Sequence, residues 1–423
     1  MREHAIVLPA TTPGPDTAAL PRSLAGVVLT GLAAGASGLA LSLVLHLIQH
    51  LAYGYSPQAI ISEESFLEGV SGAAPLRRIA ALLVCGLVAG AGWWAVYRFG
   101  GKLVSVKKAA EPDGPAMPIP TTAAHALLQI VTVALGSPLG REVAPREFGA
   151  MLAGWISRRL GLDAEERRLL VACGAGAGLA AVYNVPLGGA VFVLEVLLRT
   201  TAPRAVISAF ATCAIATVVP WIGLGDQTLY HLGTYRISTA LVVWALPAGA
   251  IIGVAAHYFT LGAAWARRHA PRDGRLLPWC LAVFGAIGLA AAFFPALPGN
   301  GKGPLQLGFS GDLSLQLALA LLVLKLLSTL GSLRAGAEGG LLTPGLTLGA
   351  LIAVALGQVT GLPTGACAIV GAAAFLAVSM RMPITAILLM MEFTRAGHDF
   401  LIPIFAATVA SVGTDALLRK RAP

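Results

Sequence analysis

Charge is scarce in this chain. Of its 423 residues only 12% are Asp, Glu, Lys or Arg while 57% are hydrophobic, giving a mean hydropathy of +0.79. So few charges cannot keep a domain of this size in water, which excludes an ordinary soluble protein. Cysteine is also sparse. The five present (Cys85, Cys173, Cys213, Cys280, Cys367) have no paired spacing and lie mostly in apolar runs, which excludes a disulfide framework and a metal knuckle. No soluble domain of useful size is left over, and the membrane segments hold isolated acids without the acid cluster that a cation pathway needs. Residues 1–23, with Arg2, Glu3, Pro13, Pro15 and Asp16, lack an apolar core; they read as a polar tail and not as a cleaved signal.

What is present are long apolar runs, from residue 24 to residue 418. A spanning helix needs roughly 20 apolar residues, so on the order of ten or more segments fit, and the fold class is all-α, polytopic and membrane-embedded. The net charge of +9 would suggest nucleic acid in a soluble protein. Here the basic pairs Arg77-Arg78, Lys107-Lys108, Arg158-Arg159, Arg167-Arg168 and Arg267-Arg268 and the run 419–421 sit between apolar runs, so they read as topology signals and nucleic acid is not a partner. Gly numbers 50, and small-xxx-small spacings such as Gly31 to Gly35 and Gly174 to Gly178 predict closely packed helices.

An internal repeat organises the chain. Residues 184–196 read NVPLGGAVFVLEV and residues 382–393 read MPITAILLMMEF, so that Pro186 and Glu195 fall on Pro383 and Glu392 with one offset. About 40 residues upstream of each lies a second pair, Gly140 to Pro145 and Gly339 to Pro344. The expected division is a tail 1–23, a first transmembrane repeat 24–222, a second 238–418 and a basic end 419–423. Breaks at Asn184-Val185-Pro186, Thr343-Pro344-Gly345 and Arg381-Met382-Pro383 predict interrupted helices, which are tolerated at membrane depth where they are buried in protein or line a cavity. Duplicated halves with matched broken helices commonly hold a substrate site between them.

An anion inside a membrane needs hydrogen-bond donors, and the amides of a helix N-terminus supply them together with the helix dipole. Gly339-Gly340-Leu341-Leu342-Thr343-Pro344 suits that role, since glycines admit close approach, leucines exclude water, and Pro344 opens the helix where a missing N–H costs little. The plainer reading is a structural re-entrant loop. Glu142, beside the other helix start, would compete with an anion for the same amides, closing the site when ionised and opening it when protonated. Its plainer reading is a carboxylate paired with Arg141 or Arg146.

The order GRE-x-x-P, GLAAVYNVPLGGAVFVLE, GAEGGLLTPG and RMPITAILLMMEFT resembles the CLC family of chloride channels and proton-coupled chloride exchangers over nearly the whole chain. The resemblance implies two inverted halves and a homodimer with a pore in each subunit. It also implies Glu142 as the gating glutamate and an anion held by the backbone of Gly340, Leu341 and Leu342, with Gly101 completing the set. Four departures accompany it. The family's GSGIP corresponds to residues 100–104, with Gly101 in place of the serine and Lys102 next to it, either drawing anions inward or marking a helix end. GREGP becomes GREVAP, with Val143 after the gate. The inner acid of proton-coupled members is Val196 here, which leaves Glu195 either as a substitute one position away or, matched by Glu392, as a structural residue. The chain ends before the helix that carries a pore tyrosine in many relatives.

Three transport readings follow: passive or loosely proton-coupled chloride conduction, which Val196 favours; a proton-coupled chloride exchanger; and a fluoride carrier, which Gly101 leaves open. An enzyme of a different class, an intramembrane protease, rests only on Gly35-Ala36-Ser37-Gly38 and Gly223-Leu224-Gly225-Asp226. Those motifs are short in a glycine-rich chain, and His125 and His257 are candidate bases without a supporting motif. The expected surroundings are a lipid bilayer, in a prokaryotic inner membrane, with no cofactor.

Overall fold

The computed structural model describes residues 19–421 except 57, 59–60 and 62–63. Among the described residues it is all-helical, with the elements α1 (Ala19–Tyr53), α2 (Phe66–Gly72), α3 (Pro75–Phe99), α4 (Val106–Ala109) and α5 (Ile119–Ala134). Then come α6 (Val143–Arg159), α7 (Ala164–Tyr183), α8 (Pro186–Phe192, continued by a π-helical turn Val193–Leu198), α9 (Pro203–Leu224) and α10 (Thr239–Arg268). The chain finishes with α11 (Leu276–Phe293), α12 (Lys302–Ser310), α13 (Leu315–Ala335), α14 (Leu342–Thr360), α15 (Thr364–Ser379), α16 (Pro383–Thr394) and α17 (Leu401–Arg421). Among the described residues eight helices are long and apolar enough to cross a membrane, and four shorter apolar ones, α5, the α8 segment, α15 and α16, fall below that length.

Most of the expected tail, 1–18, lies outside the described residues, and its last five residues already belong to α1. Of the expected basic end 419–423, residues 419–421 continue α17 and residues 422–423 lie outside the described residues.

The repeat is visible in the elements. The α7–α8 break falls at Asn184 and the α15–α16 break at Arg381, each in the left-handed region with φ near +57° and +54°. A proline follows each break at the first helical position, where its fixed φ suits a helix start and its lacking N–H leaves nothing unpaired. The ends match as well: Arg199 and Arg395 close the two segments in the left-handed conformation.

Contacts between the halves are reciprocal, as a two-fold relation between inverted repeats requires. Glu195 accepts the amides of Ile384 and Thr385 at 3.0 and 2.8 Å and the Thr385 hydroxyl at 2.6 Å, capping α16. Glu392 accepts the amides of Leu187 and Gly188 at 2.9 and 2.7 Å, capping α8. Each carboxylate thus offsets the positive end of the other repeat's helix. The register read from the two prolines and two glutamates is the register of this exchange.

Glycine sets how closely the helices approach. A Cβ at Gly174 of α7 would run into the Gly149 carbonyl of α6, and one at Gly371 of α15 would meet the Gly349 carbonyl of α14, so the same backbone contact recurs in both halves. Gly174→Val is expected to destabilise the fold by about 3 kcal/mol, the range for forcing side-chain volume into a packed interior. Gly413→Ala, where a Cβ meets nothing within 4 Å, is expected to be neutral. Thermal unfolding of the detergent-solubilised protein distinguishes them.

Candidate functional site

The two upstream motifs meet. Gly140 and Gly340 form an isolated antiparallel bridge, with Gly140 N–H on Gly340 O at 2.7 Å and Gly340 N–H on Gly140 O at 2.8 Å. This bridge aligns the starts of α6 and α14 side by side. Glu142 occupies the N-cap position of α6 and Leu341 that of α14, and Pro145 and Pro344 each stand at the third helical residue. Both helices therefore begin inside the protein with first-turn amides that no carbonyl of their own helix pairs, and with their positive ends close together.

Glu142 fills this junction. It is fully buried, and its carboxylate accepts the Leu342 amide at 2.7 Å while lying against Gly340, where a Cβ would overlap it. The side chain thus reaches across from one repeat to the helix start of the other. Tyr183, at the end of α7, places its hydroxyl 3.4 Å from Glu142 Oε2 and 3.4 Å from Thr343 Oγ1. Arg141 stacks its guanidinium over the Tyr183 ring at 5.1 Å. Arg146 donates to the Glu142 carbonyl at 3.0 Å and lies over Phe192 at 5.2 Å. Neither arginine forms an ion pair with the Glu142 carboxylate, which sets aside the simple salt-bridged cap.

The expected site residues divide into two groups. Glu142, Gly340, Leu341, Leu342 and Arg141 come together. Within that group the Gly340 amide is taken by the bridge and the Leu342 amide by the Glu142 carboxylate. Gly101 stays outside: it is exposed, its amide is satisfied by Thr121 Oγ1 at 2.9 Å, and no hydrogen bond links it to Glu142. The chain after α3 runs on unwound to Ser105, whose hydroxyl caps α4. Lys102 is exposed beside it, and Glu195 is a cap on α16.

Sequence reasoning missed Tyr183 and Thr343, because a tyrosine and a threonine in apolar helices look like core. The signal was present in the position of Tyr183, immediately before the Asn184 break.

The protease motifs assemble nothing. The Ser37 hydroxyl turns back to Ala34 O at 2.9 Å. Asp226 joins Asn184 at 2.8 Å and Arg395 at 2.5 Å in a surface loop, and those bonds hold its carboxyl below the usual carboxylate range. His125 and His257 pair with Glu147 and Asp415, not with Ser37.

A polytopic helical protein whose two inverted halves present helix N-termini to a shared, carboxylate-filled position is a membrane transporter built for anions. Residues 85–415 match the family described as voltage gated chloride channel, and the chain belongs to that family, the CLC proteins, whose members are channels and transporters and not enzymes.

Relatives include the voltage-gated ClC-type chloride channel ClcB of Citrobacter koseri, 29% identical over 82% of this chain and 86% of that protein. The ClcB of Shigella flexneri is 30% identical over 69% of this chain and 72% of its own length. The H(+)/Cl(-) exchange transporter ClcA of Cronobacter sakazakii is 32% identical over 64% of this chain; the match spans 62% of that protein. Among solved structures, that of a slow cyanobacterial Cl−/H+ antiporter superposes with a TM-score of 0.76 at 20% identity, covering 95% of this chain and 98% of the other. That of a CLC-type fluoride/proton antiporter gives 0.64 at 20% identity, covering 93% and 96%.

Proposed function

We propose that the chain carries chloride or a similar small anion across a lipid bilayer, through the junction of the two helix starts, with Glu142 as its gate. The observation that carries this reading is the Glu142 carboxylate seated on the Leu342 amide at 2.7 Å, a tethered anion where a free one would bind. When the side chain leaves, the Leu341 and Leu342 amides and the Tyr183 hydroxyl remain as donors around the vacated position. Backbone donors carry no full charge, so they hold an anion without trapping it.

Conduction is passive or loosely coupled to protons. Val196, half-buried against the apolar core, offers no titratable group at its position, and Glu195 is committed to α16. Proton-coupled exchange of chloride or fluoride is the second reading, and the intramembrane His125–Glu147 pair favours it. The protein acts as a homodimer in a prokaryotic inner membrane, and the exposed apolar residues Ile207 and Ile222 on α9 and Ile402 and Val409 on α17 supply a face for lipid or a second copy.

Purified protein in liposomes tests the reading: chloride, fluoride, nitrate and bicarbonate efflux are compared with proton movement recorded in parallel. Chloride efflux accompanied by measurable proton movement without a fixed stoichiometry is expected, and tight stoichiometric pumping of protons by a chloride gradient would establish the exchanger instead. Tyr183→Phe, which removes one donor from the vacated site, is expected to weaken anion binding about fivefold, the worth of one hydrogen bond of roughly 1 kcal/mol. Titration calorimetry with chloride reads that change.

A further inference from the structure

Five residues past the gate, α6 carries a second buried acid. Glu147 is 8% exposed, and its Oε2 lies 2.9 Å from His125 Nδ1 and 3.2 Å from Gln129 Nε2, both on α5. The amide nitrogen of Gln129 is also 3.0 Å from the same His125 nitrogen. An acid and a histidine at membrane depth are costly, and such groups are kept mainly where they work.

The triangle of contacts has a specific chemistry. With both ring nitrogens of His125 protonated, Nδ1–H donates to the Glu147 carboxylate, and Gln129 donates to that carboxylate as well. If instead Glu147 is the protonated member, its O–H fills the single Nδ1 lone pair, the ring keeps its hydrogen on Nε2, and Gln129 still donates to the carboxyl oxygen. One amide therefore serves both arrangements, and moving the proton between nitrogen and oxygen needs no side-chain movement. Gln129 Oε1 has no partner, so nothing pins the amide to one of the two. His125 Nε2 has no protein hydrogen bond either, and the residue keeps 8% of its surface exposed.

The pair has polar connections on both sides. Along α5, Thr121, Thr122, His125, Gln129 and Thr132 recur at helical spacing and are all buried, and Thr122 Oγ1 is unpartnered. This stripe starts at the α3–α5 connection that carries Lys102, Lys107 and Lys108, and His125 sits about 9 Å along the helix from Ile119. Toward the gate, Arg146 bonds the Glu142 carbonyl and its charge acts on both Glu142 and Glu147. The other charged groups near the pair are Glu338, in the loop before α14 and bonded by the Tyr97 hydroxyl of α3 at 3.0 Å, and Arg267 of α10, which acts on Arg146.

We infer that His125 and Glu147, bridged by Gln129, form an intramembrane proton-binding site that exchanges protons between the α5 stripe and the gate. The inference rests on the reading of Glu142 as gate. The step makes and breaks only N–H and O–H bonds: a proton from water on the basic face reaches the pair, and one leaves it toward Glu142. Arg146 transmits the change of charge, since neutralising Glu147 strengthens its hold on the Glu142 segment.

Reconstituted wild-type protein, Glu147→Gln and His257→Gln are compared for proton and chloride flux, and pH-difference infrared spectra record carboxyl protonation. The proton-to-chloride ratio is expected to fall at least about tenfold in Glu147→Gln, as for loss of a positioned proton-transfer group. His257→Gln, at the separate pair with Asp415, keeps the wild-type ratio, and Glu147→Gln loses one carboxyl band. A merely structural pair would leave the ratio unchanged. An unchanged ratio in Glu147→Gln, or a wild-type spectrum without the band that variant should lose, overturns the proton site. Absent anion flux in the wild type would overturn the gate reading instead, and the infrared band judges the pair independently. If Glu147→Gln does not fold, His125→Gln reads the same site: losing the imidazolium partner is expected to raise the band's titration midpoint by about one pH unit or more; no shift overturns the assignment.

Discussion

Replacing Glu142 with alanine makes anion flux nearly independent of pH and raises it about tenfold at neutral pH. The Glu142 carboxylate holds the Leu342 amide, and on the proposed reading an anion competes with it for that donor. Protonation removes the charge that competes with the anion, so flux is expected to rise as pH falls, and alanine removes a charge-assisted hydrogen bond worth about 1.5 kcal/mol, roughly tenfold. Alanine has nothing to titrate. Glutamine keeps the shape without the charge and is expected to share the flat pH profile. Efflux from liposomes between weakly acidic and neutral pH measures both, and a profile that keeps its wild-type slope in both variants removes Glu142 from the gate.

The second large effect concerns the fold that holds the gate. Glu195→Ala and Glu392→Ala each strip the cap from the other repeat's proline-led helix. A charged acceptor with two or three hydrogen bonds, discounted for half-burial, is worth about 2 kcal/mol, so the double variant loses about 4 kcal/mol. The single variants are expected to cost similar amounts because the two caps are equivalent by symmetry. Thermal unfolding in detergent gives the loss, and glutamine at either position, which keeps one acceptor oxygen, recovers part of it. Wild-type stability in the double variant would show that the caps contribute little.

The sequence carried much of this arrangement. The proline–glutamate register fixed which helices correspond, because Pro marks a helix start and Glu a cap, and both rules are local. Leu341 and Leu342 beside Glu142 were legible for the same reason: a glycine pair and a proline in the first turn define an amide-bearing N-terminus. What escaped were partners chosen by tertiary packing. Tyr183 reaches Thr343 across 160 residues and Glu147 reaches His125 from the next helix, and no periodicity encodes either meeting. Gly101 stands apart from Glu142 because the chain is unwound there, and the next helix, α4, begins only at Val106. The hydroxyl that caps that helix belongs to Ser105, and Thr121 answers the Gly101 amide.

The central claim is that the Glu142 carboxylate stands where a free anion binds. Crystals of wild-type and Glu142→Gln protein grown in bromide test it directly, since anomalous scattering locates the ion. In Glu142→Gln, bromide is predicted within hydrogen-bond distance of the Leu341 and Leu342 amides, in the position the carboxylate holds in the wild type. Bromide bound elsewhere in the variant, with those amides unoccupied, would contradict the account.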